Sequence, residues 1–502
     1  MSLLRVARNI GSGYAGAGVN GLVLLLLTPL VVRHLGQAQY GVWVLVTAIG
    51  SYLGFLNAGS GAAAVRAVAR LAGTGRIGEA SQEVGSIFRI YLAVGIVAGC
   101  ALAVLSVTTL DFFHVPAADQ PEARALLILI ALNFVVSFPF GVTRSVLAGL
   151  HRFDVLNGVE IAWALLRLGA TAAFLTSGYG LVAVGAVQLA ASIGGHLTRF
   201  VAIRRIAPQI HLTGGKGWSG LSADVTSFSA LSFLYESLRT LFDNADLLLL
   251  GILAGPAAVG IFGAGVTLAS FVSRGLQPVS GVLFPMAAEM EAVGRRSGSA
   301  RLLEVGTRVN LALALPLVTI LLIDGPVLLR YWVGEEFAAS AVVLTVFTLA
   351  NLMMAASLAS STLLFGSGRI GVLVGAEAAR YVLNLALLLL LYRWLGLFGA
   401  ALATLTATVA IDAAIVIRQA LRFSGLDGFG FLTGSLGAPL LTGIPVFLLL
   451  LIWKSAAPSP SIPILALRVG ACLAGFSLIY VVGGAFREER RLAGKVWAEV
   501  FR

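Results

Sequence analysis

The sequence is poor in charge. Asp, Glu, Lys and Arg make up only 11% of its 502 residues, against about 25% in a soluble globular protein. That shortage excludes a soluble enzyme and a disordered chain, both of which need polar surface to stay in water. Cysteine is scarce too: Cys100 and Cys472 are the only 2, and both lie in apolar runs. They cannot staple a small secreted scaffold or fill a structural zinc site. The 5 histidines show no metal-ligand spacing. No Walker A motif occurs, so the energy source is an ion gradient, the substrate gradient or a separate protein.

Hydrophobicity is abundant, at 58% of residues and a mean hydropathy of +0.96. Apolar runs of spanning length cover 11–32, 40–65, 90–110, 125–143, 155–175, 181–197, 228–253, 257–272, 309–329, 338–365, 370–391, 395–417, 431–453 and 464–482. About 20 apolar residues cross a bilayer as a helix. A single span in lipid has no other way to satisfy its backbone. The expected fold is an all-α polytopic membrane protein with 14 transmembrane helices. The N-terminal Arg5 and Arg8 before an apolar run resemble a signal peptide. The run is long, lacks an Ala-x-Ala cleavage site and ends at Arg33, so it reads as a retained first helix.

The net charge of +11 is a matter of topology. With the N-terminus inside, cytoplasmic segments hold 23 Lys and Arg residues and outer loops hold 5. The positive-inside rule then puts both termini in the cytoplasm, with no nucleic acid as partner. Trp43, Trp332, Trp394 and Trp453 read as an outer aromatic belt. Residues 486–502 place Phe486, Val496, Trp497, Val500 and Phe501 among five cations. That pattern predicts a cytoplasmic amphipathic tail on the anionic leaflet.

Three blocks recur. Gly36, Ala38, Gly41 and Trp43 match Gly255, Ala257, Gly260 and Phe262 at an offset of 219. Glu83-Val84-Gly85-Ser86 matches Glu304-Val305-Gly306-Thr307 at 221. Gly149, Arg152, Val155, Leu156, Gly158 and Glu160 match Gly366, Arg369, Val372, Leu373, Gly375 and Glu377 at 217. Two pseudo-symmetric six-helix lobes follow, 1–215 and 216–425, with two C-terminal helices in 426–485. Two parallel halves around a cleft is a transporter plan.

A charge at mid-bilayer costs on the order of 3 kcal/mol unless it finds water or a partner. The seventh span carries Glu236, Arg239, Asp243 and Asp246 at spacings of 3, 4 and 3, which puts them on one face. One reading is mutual neutralisation. The other gives Arg239 an anionic headgroup and lets the acids hold its rotamer or take a coupling cation. Asn20 of the first span is the repeat counterpart of Arg239, so these two spans are expected to face each other. Arg167 and Arg380 lie mid-span in equivalent helices, with Glu160 and Glu377 one or two turns away, and Arg380 is able to pair with Glu377. Arg89, Arg274, Arg308 and Asp412 read as interfacial and snorkelling. Gly11 to Gly16 and Gly366 to Gly371 fit G-x-G-x-x-G, but neither follows a strand, so they read as helix-packing glycines.

Leu35-Gly36 followed by Tyr40-Gly41-Val42-Trp43, and Leu56-Asn57-Ala58-Gly59 ending in Arg66, resemble the start of O-antigen-type oligosaccharide flippases. Those flippases belong to the multidrug/oligosaccharidyl-lipid/polysaccharide (MOP) exporter superfamily. The repeated Gly-x-x-Arg block is similar to the same family. The resemblance implies a non-enzymatic flippase in the bacterial cytoplasmic membrane. It would pass polyprenyl-diphosphate-linked oligosaccharide between leaflets by alternating access, for surface polysaccharide synthesis. It implies membrane lipids, a glycan polymerase and chain-length proteins as partners. It implies no cofactor beyond a coupling Na+ or H+. Cavity cations would bind the substrate, in the order Arg239, Arg380, Arg167 and Arg66, with Asn20 beside them. Glu236, Asp243, Asp246 and Glu377 would couple ions or hold rotamers. Two relatives compete: the peptidoglycan-precursor flippase, and a cation-coupled multidrug exporter, which the charge-free stretch 11–32 disfavours. A glycan polymerase or ligase would be expected to carry a sizeable outer loop. The longest here, 111–124, has 14 residues and His114 as its one catalytic candidate.

Overall fold

The computed structural model describes residues 3–57, 64–65, 68–69, 71, 77–212, 214, 223–292, 296–457 and 461–482. Among these, every regular element is helical. Eleven helices are long and apolar enough to cross a membrane. They are α1 (Leu3–Leu53), α2 (Ile77–Thr108), α3 (Gln120–Phe140), α4 (Phe153–Thr176), α5 (Leu181–Ile206) and α6 (Ala223–Ala292). Then come α7 (Arg296–Val333), α8 (Ser340–Gly366), α9 (Ile370–Ile411), α10 (Ala438–Ala456) and α11 (Ile462–Val482).

Three of the eleven are each two rods joined at a glycine outside helical space. The breaks are Gly36 in α1 (φ 79°, ψ 173°), Gly255 in α6 (φ 76°, ψ −179°) and Gly396 in α9 (φ 57°, ψ −136°). A side chain would be strained at these angles, so glycine is what allows the chain to turn without a loop. Counting each limb separately turns eleven helices into fourteen rods among the described residues. Several rods outrun their apolar runs. The second limb of α6 reaches Ala292, past the expected end at 272. The second limb of α1 stops at Leu53, short of the expected 65, and gives way to a 3-10 turn over Gly54–Asn57.

The backbone repeats what the sequence repeats. Positive-φ residues pair as Gly36 with Gly255, His114 with Gly334, His151 with Gly368 and Gly178 with Gly396, at offsets of 219, 220, 217 and 218. Each pair marks a corresponding turn in the two halves.

Packing divides the chain into two compact units, Arg8–Gly260, and Ile261–Arg502 together with Met1–Ala7. This cut falls at 260, whereas the sequence repeat divides at 215/216. The repeat is a relation of sequence and the units are a relation of contact. The first limb of α6 therefore packs with the first unit. In that unit α2 lies on α3, α3 on α5, and α4 on α5. Gly95 and Gly99 of α2 let α3 come close: an added Cβ would stand 2.8 Å from the Phe134 carbonyl oxygen and 2.9 Å from that of Ala131. Such four-residue spacing of small side chains is how helices pack where lipid supplies no hydrophobic drive. At the elbows, a Cβ on Gly41 would lie 2.2 Å from the Pro256 carbonyl oxygen, and one on Gly260 would lie 3.0 Å from the Gly41 Cα. The repeat-equivalent glycines thus touch. In the second unit α8 lies on α7 and α9, and both α10 and α11 lie on α7.

Candidate functional site

The charged face of the first limb of α6 turns through its environment in steps. Asp246 is buried, Arg239 is half-buried, and Glu236 and Asp243 are exposed. The charges of Arg239 and Asp243 both act on Glu236, as spacings of three and four on a helix require. On α1, Asn20 is half-buried and its amide nitrogen donates to the Gly16 carbonyl at 3.0 Å. The second limb of α1 and the turn after it meet α6: Gly41 lies against Pro256, Leu45 against Gly251, and the Phe55 carbonyl accepts from the Ser237 hydroxyl at 3.5 Å. Arg66 and the expected amphipathic tail, 486–502, lie outside the described residues.

The second unit holds a buried ionic cluster. The Arg380 Nη1 donates to Glu377 Oε1 at 2.9 Å and Oε2 at 2.8 Å, and its Nη2 donates to Asp412 Oδ1. The Ser357 hydroxyl completes it, donating to Asp412 Oδ2 at 2.7 Å. Arg380 is 8% exposed and Asp412 1%. Two carboxylates thus share one guanidinium. The bend at Gly396 explains the meeting. Arg380 precedes it by 16 residues and Asp412 follows it by 16, so each limb carries its residue about 24 Å back from the bend. Asp412 was expected to snorkel at the interface. That expectation is overturned, because its carboxylate is bonded inside the unit. Asp412 also opens a π-helical segment, Asp412–Ile417, a distortion often found at functional sites.

The same two limbs carry a second polar link, with the Asn384 amide donating to Thr404 Oγ1 at 2.9 Å. Its counterpart in the first unit, at offsets of 217 and 216, is Arg167 Nη1 donating to Gln188 Oε1 at 2.7 Å. The ionic cluster has no such counterpart. At offsets of 216–217, Ser357, Arg380 and Asp412 correspond to Phe140, Trp163 and His196. There Phe140 and His196 pack ring to ring at 6.3 Å. Glu160, the counterpart of Glu377, pairs with Arg144 at 3.0 Å. The repeat-matched Arg152 and Arg369 hold turns: Arg152 donates to Asp154 at 3.0 and 3.1 Å, and Arg369 lies 4.5 Å from the Phe423 ring. That hydrogen bond to Asp154 raises the Arg152 pKa above its ordinary value.

Sequence reasoning missed Arg468. This residue of α11 is 1% exposed and donates to Asp324 of α7 at 2.7 Å, to the Trp453 carbonyl at 3.2 Å and to the Ala457 carbonyl. Its guanidinium lies 5.8 Å from the Trp453 ring. The placement of Asp324 and Arg468 inside apolar spans, each toward one end, was the signal available. The tryptophans of the expected outer belt differ in exposure. Trp394 is 77% exposed, but Trp332 is buried and Trp43 lines a cavity. That cavity, of about 320 Å³, lies in the first unit between the second limb of α1, α3 and α5.

Residues 6–291 match the family described as polysaccharide biosynthesis protein, more than half of the chain. No curated protein matches the sequence. Among solved structures, a lipid II flippase, MurJ, in an inward closed conformation is similar over 93% of this chain and 97% of its own, at 13% identity and a TM-score of 0.69. An inward-facing MATE family multidrug resistance transporter of the MOP superfamily is similar over 85% and 99%, at 13% identity and a TM-score of 0.68. A Vibrio cholerae MATE transporter is similar over 83% and 98%, at 15% identity and a TM-score of 0.62. This multi-pass helical membrane protein therefore belongs to the polysaccharide biosynthesis protein family, on a fold shared with transporters of the MOP superfamily.

Proposed function

We propose that the chain flips polyprenyl-diphosphate-linked oligosaccharide from the inner to the outer leaflet of the bacterial cytoplasmic membrane, with both termini cytoplasmic. The observation that carries this reading is the match of residues 6–291 to a polysaccharide biosynthesis family. A transporter fold supports the mode of action. The lipid-linked glycan is the part of such a pathway that has to cross a bilayer. Arg239 is the first substrate-binding cation, joined by Arg167, Arg66, Arg380 and the amide of Asn20. Glu236, Asp243, Asp246 and Glu377 hold those cations or take a coupling Na+ or H+. For Arg380 the coupling is concrete: protonation of Glu377 or Asp412 neutralises one of its two partners and loosens its hold. Glycan polymerase and chain-length proteins are the partners that would receive the product.

A second reading is a peptidoglycan-precursor flippase. It is favoured by the extent of the likeness to MurJ, 93% of the chain against 85% for the multidrug transporter.

Reconstitution tests the proposal. Fluorescent polyprenyl-diphosphate oligosaccharide is expected to cross proteoliposome membranes under an imposed Na+ or H+ gradient. Transport no faster than in empty liposomes under every gradient overturns it. Arg239→Ala is expected to lose at least tenfold in transport, and wild-type transport by that variant removes Arg239 from the site.

A further inference from the structure

The cavity in the first unit presents an unusual set of groups. Its walls are mostly aliphatic, and its volume of about 320 Å³ sits at the small end of ligand pockets, which run to roughly 1,000 Å³. Six lining residues interrupt the aliphatic surface: Trp43, Thr47, Ser51, Asn133, Phe134 and Gln188. None of the lining residues is charged.

The bonds behind this wall decide what the cavity offers. Gln188 turns its Oε1 to Arg167 Nη1 at 2.7 Å. A guanidinium only donates, so the oxygen of the Gln188 amide is committed to it. Asn133 turns its Oδ1 to the Ser137 hydroxyl at 2.9 Å, and Ser137 is tied to Ser192 at 3.0 Å. Each oxygen already accepts one hydrogen bond and keeps one lone pair, while the N–H groups of each amide remain donors. Thr47 has the opposite polarity. Its hydroxyl proton is taken by the Trp43 carbonyl at 2.8 Å or the Val44 carbonyl at 2.9 Å, so its oxygen is left to accept. The cavity therefore combines two amide donors, the Thr47 hydroxyl as acceptor, the Ser51 hydroxyl and an indole, and a guanidinium backs one of the donors.

We propose that this cavity is a recognition subsite for a neutral sugar ring of the transported glycan, a reading that rests on the flippase function above. Sugar hydroxyl or acetamido oxygens accept from Gln188 and Asn133. A sugar hydroxyl donates to Thr47, and the C–H face of the ring packs on Trp43 and the aliphatic wall. Arg167 acts as a positioning residue that fixes which end of the Gln188 amide faces the ligand. The same arrangement disfavours an organic cation, which would meet two donors, one of them backed by a guanidinium.

The test is saturation-transfer NMR on the full chain in detergent, using free neutral hexoses, 6-deoxyhexoses and N-acetylhexosamines, with rhodamine 6G as the cationic competitor. Wild type is expected to show transfer from at least one sugar class, undisturbed by rhodamine. Gln188→Glu and Asn133→Asp keep the oxygens that accept from Arg167 and Ser137 and remove the donors. Each is expected to weaken the sugar about tenfold, the scale of one hydrogen bond. Two results overturn the proposal: no transfer from any sugar to wild type, or variants that bind like wild type. Displacement of the sugar by rhodamine also overturns it. The wild-type measurements decide the matter even if a variant fails to fold. The probes carry no lipid or diphosphate. Sugar binding without lipid transport therefore points to failure of the flippase reading, and transport without sugar binding to failure of the subsite.

Discussion

Arg380→Met puts a number on the ionic cluster. The substitution removes the cation and leaves Glu377 and Asp412 facing each other inside the unit, at 6% and 1% exposure. Ser357 keeps its hydrogen bond to Asp412, but one hydroxyl does not replace a guanidinium. Breaking a buried ion pair by deleting one partner costs about 3–5 kcal/mol, because the remaining charge is stranded. With two carboxylates losing the guanidinium they share, the loss belongs at the upper end of that range. Replacing all three as Glu377→Leu, Arg380→Met and Asp412→Leu removes the stranded charge as well. Its stability is expected within about 1 kcal/mol of wild type or above it, with Ser357 still able to donate to the Met354 carbonyl at 3.2 Å. Arg380→Lys falls between, since a single ammonium cannot reproduce a fork that reaches separate carboxylates. Equilibrium unfolding in mixed detergent micelles gives the three values. The reasoning is refuted if Arg380→Met costs under about 1 kcal/mol, or if the triple replacement is as unstable as the single one.

The remaining predictions concern packing, docking and transport. Gly41→Val drives side-chain atoms into the Pro256 carbonyl. It is expected to cost about 1–3 kcal/mol or more by overpacking, while Gly18→Ala, with nothing within 4 Å, is neutral in the same unfolding assay. Arg468→Leu strands Asp324, which is 3% exposed, and loosens α11 on α7. In a Cys100→Ala background, the labelling rate of buried Cys472 by a small maleimide is expected to rise severalfold, and an unchanged rate would show that the ion pair does not hold the helix. The triple replacement at Glu377, Arg380 and Asp412 is expected to fold yet lose ion-gradient stimulation of transport, and a folded triple variant with full stimulation would place coupling elsewhere.

Spans were legible because lipid demands long apolar runs, and the repeat was legible where glycine recurs, as at Gly36 and Gly255. The other turns were harder to see. His114 pairs with Gly334 and His151 with Gly368, and the shared feature is a backbone angle, which residue type does not reveal. The break at Gly396 was legible as the gap between the runs 370–391 and 395–417, but not that a single glycine turns the helix there without a loop. The Glu377–Arg380 bond was readable as an i, i+3 pair. Asp412 was not, because its partner lies 32 residues away and meets it only through the bend at Gly396. Arg468 and Asp324, 144 residues apart, illustrate the same limit. A buried charge is visible in sequence, but its partner is set by which helices pack.

The central claim concerns what crosses the membrane, and a head-to-head flipping assay tests it most directly. Proteoliposomes are loaded with fluorescent polyprenyl-diphosphate oligosaccharide, lipid II or rhodamine 6G, and initial rates are compared under the same ion gradient. The oligosaccharide lipid is expected to move at least tenfold faster than either competitor. Equal or faster movement of lipid II or of the cationic dye would contradict this expectation.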